Sequence, residues 1–216
     1  MSLSSLLDRM EKEYALVPRE LGQYAEIKKN GMHFHIRAYE IPGVGRMSAI
    51  RMSAMLGLMK METVVISPLT KDAPLFSFDD ILAMGNDTLL LELYDTQLSP
   101  VSVDALTAVK EKYAALPDND LGQHWYDHLK MQPSLSKKGK KKAVDFEPLF
   151  DEFFAAYLEL LRSAPPCDRE AKQAKVREYA QGLLTNGGPS TDQFKKLIGA
   201  DATAELFLKY VFSGVD

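Results

Sequence analysis

The chain has 216 residues, 46% of them hydrophobic, with 30 acidic against 26 basic side chains and a net charge of −4. That length and apolar content suit one large domain, or at most two small ones, with a substantial buried core, and the acidic balance offers no global electrostatic case for binding DNA or RNA. The single cysteine, Cys167, excludes an internal disulfide and any zinc or iron–sulfur site built from this chain's cysteines alone.

The N-terminal stretch "MSLSSLLDRMEKEYALVPREL" carries acidic residues early and no long apolar core, so no signal peptide is expected. No stretch approaches the roughly 18–20 apolar residues of a membrane span, and a reducing cytoplasm is the expected compartment. Residues 4–15 place Leu6, Leu7, Met10 and Tyr14 at helical spacing, with Ser4 or Ser5 as a cap. A strand-rich region follows, over residues 30–100. In "HFHIRAYEI" His33, His35, Arg37 and Tyr39 share one face, and Phe34, Ile36 and Ala38 share the other. "IPGVG" at 41–45 is a turn. "RMSAIRMSAMLG", "MKMETVVISP", "LFSFDDILAMG" and "DTLLLELYD" read as successive strands joined by short turns, which argues for an antiparallel meander.

After Pro100 the period changes, and 101–216 reads as helix-rich. Residues 102–116 form a helix with Leu106, Val109 and Tyr113 on one stripe. Residues 133–145, "PSLSKKGKKKAVD", read as a polar loop. Residues 146–164 and 168–184 are amphipathic helices, the second ended by Asn186-Gly187-Gly188-Pro189. "STDQFKKLIG", with Ser190 and Thr191 as cap candidates, and "ADATAELFLKYVF" follow. Strands first and helices later give an α+β chain, a single domain over 1–216 with layered α/β/α architecture around a central antiparallel sheet.

Several chemical signatures are absent: a phosphate loop, a G-x-S-x-G elbow and an H-E-x-x-H helix. The four histidines fall in two pairs, His33/His35 on one strand face and His124/His128 one helical turn apart, spacings that zinc could use. The lysine run Lys137, Lys138, Lys140, Lys141 and Lys142 is a strong local field in an acidic protein. It reads as a solvated loop or as a dock for an acidic partner. Met47, Met52, Met55, Met59 and Met61 crowd the middle strands, either as core filler or facing a cavity for a large, flat ligand. Asp79-Asp80 interrupts an aromatic and aliphatic run, where a packing residue is expected.

Three segments carry a family resemblance: "METVVISPLTKDAPLFSFDDIL", "LLLELYDTQLSP", and the C-terminal third with "FEPLFDEFFAAYLELL", "REYAQGLLTN" and "FKKLIGADATAELFLKYVF". In their order and spacing they resemble the ferredoxin-dependent bilin reductases and red chlorophyll catabolite reductase, from about residue 30 onward. "LGQHWYDHL" sits where that family has a Pro-x-Trp-Gly segment beside its pocket. The resemblance implies an α/β/α sandwich that reduces a linear tetrapyrrole with single electrons from ferredoxin or flavodoxin and binds no cofactor of its own. It places Asp79 on the family's catalytic aspartate, a proton donor held near neutrality by burial. A family histidine on the preceding strand falls on Glu62 when counted from Asp79, and on Thr63 when aligned on Pro68. Glu62 is the expected second acid. Arg51, where the family has a glutamate, is the expected partner of the tetrapyrrole propionates. Thr63, His124, Trp125 and Asn186 are expected at the substrate, although Asn186 is followed by Gly187 where the family has a second aspartate. The lysine run is expected to dock ferredoxin. The alternatives are a non-catalytic tetrapyrrole-binding protein on the same fold and a metal-binding protein using the histidines.

Overall fold

The computed structural model describes residues 3–212. The expected domain and the N-terminal stretch also include residues 1–2 and 213–216, which lie outside the described residues.

Apolar alternation builds the sheet. β3 (Met32–Ile41), β4 (Gly45–Ala54), β5 (Met59–Pro68), β6 (Leu75–Ala83) and β7 (Asn86–Tyr94) follow β1 (Val17–Pro18) and β2 (Glu26–Lys29) as an antiparallel meander, and β8 (Leu135–Lys140) closes the far edge. The sheet has 8 strands in the order β1-β3-β4-β5-β6-β7-β8, with β2 also paired to β3. Gly45 (φ +156) lies so close to the β5 end that a Cβ there would stand 2.1 Å from the Ser67 carbonyl oxygen, so no other residue fits this approach.

A two-residue side-chain period splits the sheet into two apolar faces, each covered by helices. One face packs Val64, Ile66, Phe76, Phe78, Leu89 and Leu91 beneath α1 (Leu3–Glu13), α2 (Asp104–Lys112) and α3 (Glu147–Ser163). There Phe76 stacks on Tyr157 at 4.6 Å between ring centroids, and Phe78 meets Phe150 at 4.9 Å. The other face packs Phe34, Ile36, Ile50, Val65 and Tyr94 beneath α4 (Arg169–Asn186), α5 (Pro189–Ile198), α6 (Ala200–Glu205) and the π-helical turn Leu206–Val211. The result is the expected α+β sandwich around an antiparallel sheet.

Three details depart from expectation. Residues 135–140 are an edge strand on β7, not a loop: Leu135 and Lys137 turn into the structure, and the lysine-rich edge discourages further strand pairing. Ser4 and Ser5 lie inside α1, and Ser4 Oγ accepts a hydrogen bond from Arg51. α5 starts at Pro189 with Gly188 as its N-cap, so Ser190 and Thr191 sit in its first turn. The Thr191 hydroxyl donates to the Leu183 and Gly188 carbonyls.

Candidate functional site

The pleat of β5, β6 and β7 decides which side chains reach the space beneath α4, α5 and the π turn. Thr63 and Asp79 are direct partners in register, as are Glu62 and Asp80 one residue along. The two adjacent aspartates therefore point to opposite faces. Asp79 faces a cavity of about 570 Å³ lined from the sheet by Ile50, Thr63, Val65, Ile81, Leu90, Glu92 and Tyr94, and from the helical side by Tyr179, Leu183, Phe194, Phe207 and Phe212. That volume falls in the range of small-molecule sites, about 300–1,000 Å³.

The cavity is mostly apolar, so its few polar groups stand out. The Thr63 hydroxyl donates to Asp79 Oδ1. Burial pushes the Asp79 carboxyl up to about 7; the Thr63 bond opposes that rise, and the charge of Glu92 adds to it. Asp79 is half-buried and lines the cavity. Glu92, buried, accepts from Tyr94 Oη at 2.7 Å and pairs with Lys130 Nζ at 2.8 Å. The Tyr94 and Tyr179 rings lie 4.4 Å apart, and burial drives both hydroxyls well above their ordinary pKa. Tyr126 reaches the cavity from the loop after Gly122, and burial pushes its hydroxyl up to about 12.

Of the expected site residues, Asp79 and Thr63 line the cavity together. Glu62 and Arg51 do not. They are cross-strand partners on the opposite face, where Arg51 Nε donates to Glu62 Oε1 at 2.8 Å and the Leu3 backbone N–H donates to Glu62 Oε2. Counting seventeen residues back from Asp79 lands on the wrong side of the pleat, since Glu62 is one residue out of register with it. His124 and Trp125 support the cavity wall from behind. His124 stacks on Tyr126 at 5.0 Å, and Trp125 meets Tyr126 edge-on at 5.5 Å. Trp125 Nε1 donates to the Gly187 carbonyl at 2.8 Å. Asn186 is the last residue of α4 and does not line the cavity; the backbone after it, Gly188 to Thr191, does.

The lysine run divides by strand parity. Lys137 is buried and donates to the Leu116 carbonyl and Asp118, so it offers no docking charge. Lys141 pairs with Asp87 at 2.9 Å. Lys138 turns to the cavity side, and Lys140 and Lys142 are exposed. The histidines do not assemble a metal site: among the described residues no group of three or more His, Cys, Asp and Glu side chains is placed to hold an ion. His33 and His35 both approach Glu26, at 3.7 and 3.9 Å, whereas His128 Nδ1 contacts the Trp125 carbonyl at 2.8 Å.

Glu92, Tyr94 and Tyr179 were not among the expected residues. The signal for Glu92 was present in "LLLELY", where a carboxylate interrupts an apolar strand much as Asp79 interrupts its own. No helix among the described residues is long and apolar enough to cross a membrane.

In fold, the chain is similar to phytochromobilin synthase from tomato, whose crystal structure was determined in complex with biliverdin. The TM-score is 0.78 with 15% identity, over 99% of this chain and 84% of that chain. At that identity the likeness shows a bilin-reductase-like fold. No protein-family model matches the chain, and no curated protein matches it in sequence.

Proposed function

We propose that the cavity binds a linear tetrapyrrole, and that Asp79 delivers a proton to the ligand as it accepts electrons from an external ferredoxin or flavodoxin. One observation carries this reading: a carboxyl held near pH 7 in the wall of an apolar, ligand-sized cavity. A group in that range is protonated often enough to give a proton and acidic enough to release it. The fold's likeness to a protein solved with biliverdin supports the choice of ligand. Reduction of one double bond consumes two electrons and two protons. Asp79 supplies one proton and regains it from water once product leaves, and water reaching the cavity supplies the other; the two electrons come one at a time from the donor, which the family resemblance implies to be ferredoxin. Lys138, at the cavity, supplies a positive charge for a propionate, the role expected of Arg51.

Thr63 favours a second reading. It directly faces Asp79, at a position where the resembling family carries histidine, and a hydroxyl is a far poorer proton donor than imidazolium. A tetrapyrrole carrier without turnover follows if Asp79 has no effective partner.

The test is an anaerobic incubation of the protein with biliverdin and reduced ferredoxin, followed by absorption. Enzyme and carrier both give a bound-bilin band, and only the enzyme bleaches or shifts it on reduction. Asp79→Asn is expected to keep the band and abolish the shift. No bound-bilin band overturns both readings.

A further inference from the structure

We infer that the turn end of the sheet is a docking surface for an anionic lipid bilayer. This surface is distinct from the cavity's chemistry and stands whatever the cavity holds.

The register brings the surface together. One row of paired residues runs from Lys29 on β2 through Ala54 on β4 and Ala83 on β6 to Lys140 on β8. At about 4.8 Å per strand its six gaps span roughly 29 Å. The turns just beyond this row all emerge at the same end. The β4–β5 turn carries Met55, Leu56 and Leu58, which are 55%, 107% and 60% exposed, and the β6–β7 turn carries Met84 at 69%. These are four of the few large apolar side chains exposed among the described residues.

The backbone shows that their exposure is not incidental. Met55, Leu56 and Met84 hold φ of +52°, +55° and +51°. Asn or Gly adopts this region readily, and bulky apolar residues rarely do. A turn selected only for folding would carry polar residues there. These positions combine unfavourable backbone with unfavourable exposure, which calls for a partner that buries the side chains.

Charge identifies the partner. Lys140 and Lys142 share a surface hollow with Leu58 and Met84, Lys29 stands at the β2 end of the row, and Lys60 lies on β5 between the two turns, on the other face of the sheet. Among the described residues no carboxylate lies within ion-pair distance of these four lysines, whereas Lys28 and Lys141 are held by Glu26 and Asp87. Separate apolar tips at the centre with free lysines around them match the layering of a bilayer surface: acyl boundary below, anionic headgroups above. An acidic protein would satisfy the lysines but would have to offer a matching apolar recess to each turn.

The cavity's rim reaches toward the same end, and it is also open at Asp120, Leu121, Lys138, Pro189 and Ser190, which are exposed. Its walls at Met59, Met61, Ile81 and Thr88 are partly exposed, whereas at Val65, Tyr94 and Phe212 they are buried. A bilayer at the turns would therefore lie beside one entrance to an apolar cavity, where an apolar ligand could pass without crossing water.

The experiment is cosedimentation of the full chain with large unilamellar vesicles of phosphatidylcholine plus phosphatidylglycerol, against phosphatidylcholine alone. The expected result is binding to the anionic vesicles only. Lys140→Gln with Lys142→Gln should weaken it about 25-fold, at roughly fivefold per lysine near an anionic surface. Leu56→Asn with Met84→Asn should weaken it by roughly fourfold for each methylene withdrawn, with Tm unchanged or raised because Asn tolerates the left-handed backbone. Absence of vesicle binding, equal binding to both compositions, or binding indifferent to both variants overturns the proposal. So does a variant-sensitive association with an acidic ferredoxin, or with a second copy of the chain on gel filtration, in a protein that ignores vesicles.

Discussion

Replacing Asp79 by asparagine tests the central carboxyl without any assumption about the ligand. Asn keeps the shape and can still accept from Thr63, but it has no proton to lose. In the wild type the folded carboxyl titrates near 7 and the unfolded one near 3.8. The folded state therefore holds a proton that the unfolded state has released across this window. Between these values the folded state holds the proton and the unfolded state does not, so the wild type loses stability as pH rises from 3.8 toward 7 and levels off above it. The slope is about 1.36 kcal/mol per pH unit. From about pH 5 to the folded pKa near 7 that is two units, or at most roughly 2.7 kcal/mol; water inside the cavity screens the ionised form and brings the expectation to about 1–2 kcal/mol. Asp79→Asn lacks this loss. Urea unfolding of both proteins from about pH 5 to about pH 8 should show the variant gaining on the wild type by that amount. Asp80 and other carboxyls titrate in both proteins and cancel in the difference. A stability difference that stays flat with pH refutes the desolvated carboxyl, and with it the reasoning that makes Asp79 an acid.

Other predictions follow from single contacts. Glu92→Gln removes a charge that helps raise Asp79, so the Asp79 titration, followed by its carbonyl infrared band, should shift below about 7. Lys172 is fully buried, with its Nζ donating to the Ala73 and Thr96 carbonyls at 2.6 and 2.8 Å and lying 3.4 Å from Asp72. Lys172→Met should cost about 3–5 kcal/mol in urea unfolding, since it removes the cation beside a buried carboxylate, leaving Asp72 only the Leu98 and Ser99 N–H donors, and leaves two buried carbonyls without their donor. A Cβ on Gly182 would stand 2.2 Å from Trp125 Cη2, so Gly182→Ala should destabilise by about 1–3 kcal/mol and shift the emission of the only tryptophan.

The parts of the fold legible in the sequence were those written in side-chain period. "HFHIRAYEI" alternates because one face of β3 packs on α5 and the π turn, with Phe34 against Phe194 at 4.8 Å. β8 was illegible because its inward residue at 137 is a lysine whose amine is satisfied by the Leu116 carbonyl and Asp118, contacts from a distant loop. Burial there depends on partners far along the chain, which a local pattern cannot show. Asp79 was legible as a carboxylate in an apolar run. The side of the sheet that Glu62 and Arg51 occupy was not, because an offset along the chain does not give the register across the loop from Pro68 to Leu75.

Asp79 and Asp80 show why a perturbed carboxyl is not by itself a site. Burial raises both to about 7, and in Asp80 the charge and hydrogen bond of Asp87 add to it, against the pull of Lys141. By titration alone the two are equal candidates. Geometry separates them. Asp80 looks onto a carboxylate already tied to Lys141 at 2.9 Å, so a proton it releases stays within a fixed network. Asp79 has a single hydroxyl partner and open space before it, so its proton has somewhere to go. The adjacent residue, carrying the same chemistry on the other side of the pleat, serves as an internal control: what makes position 79 an acid is the cavity it faces.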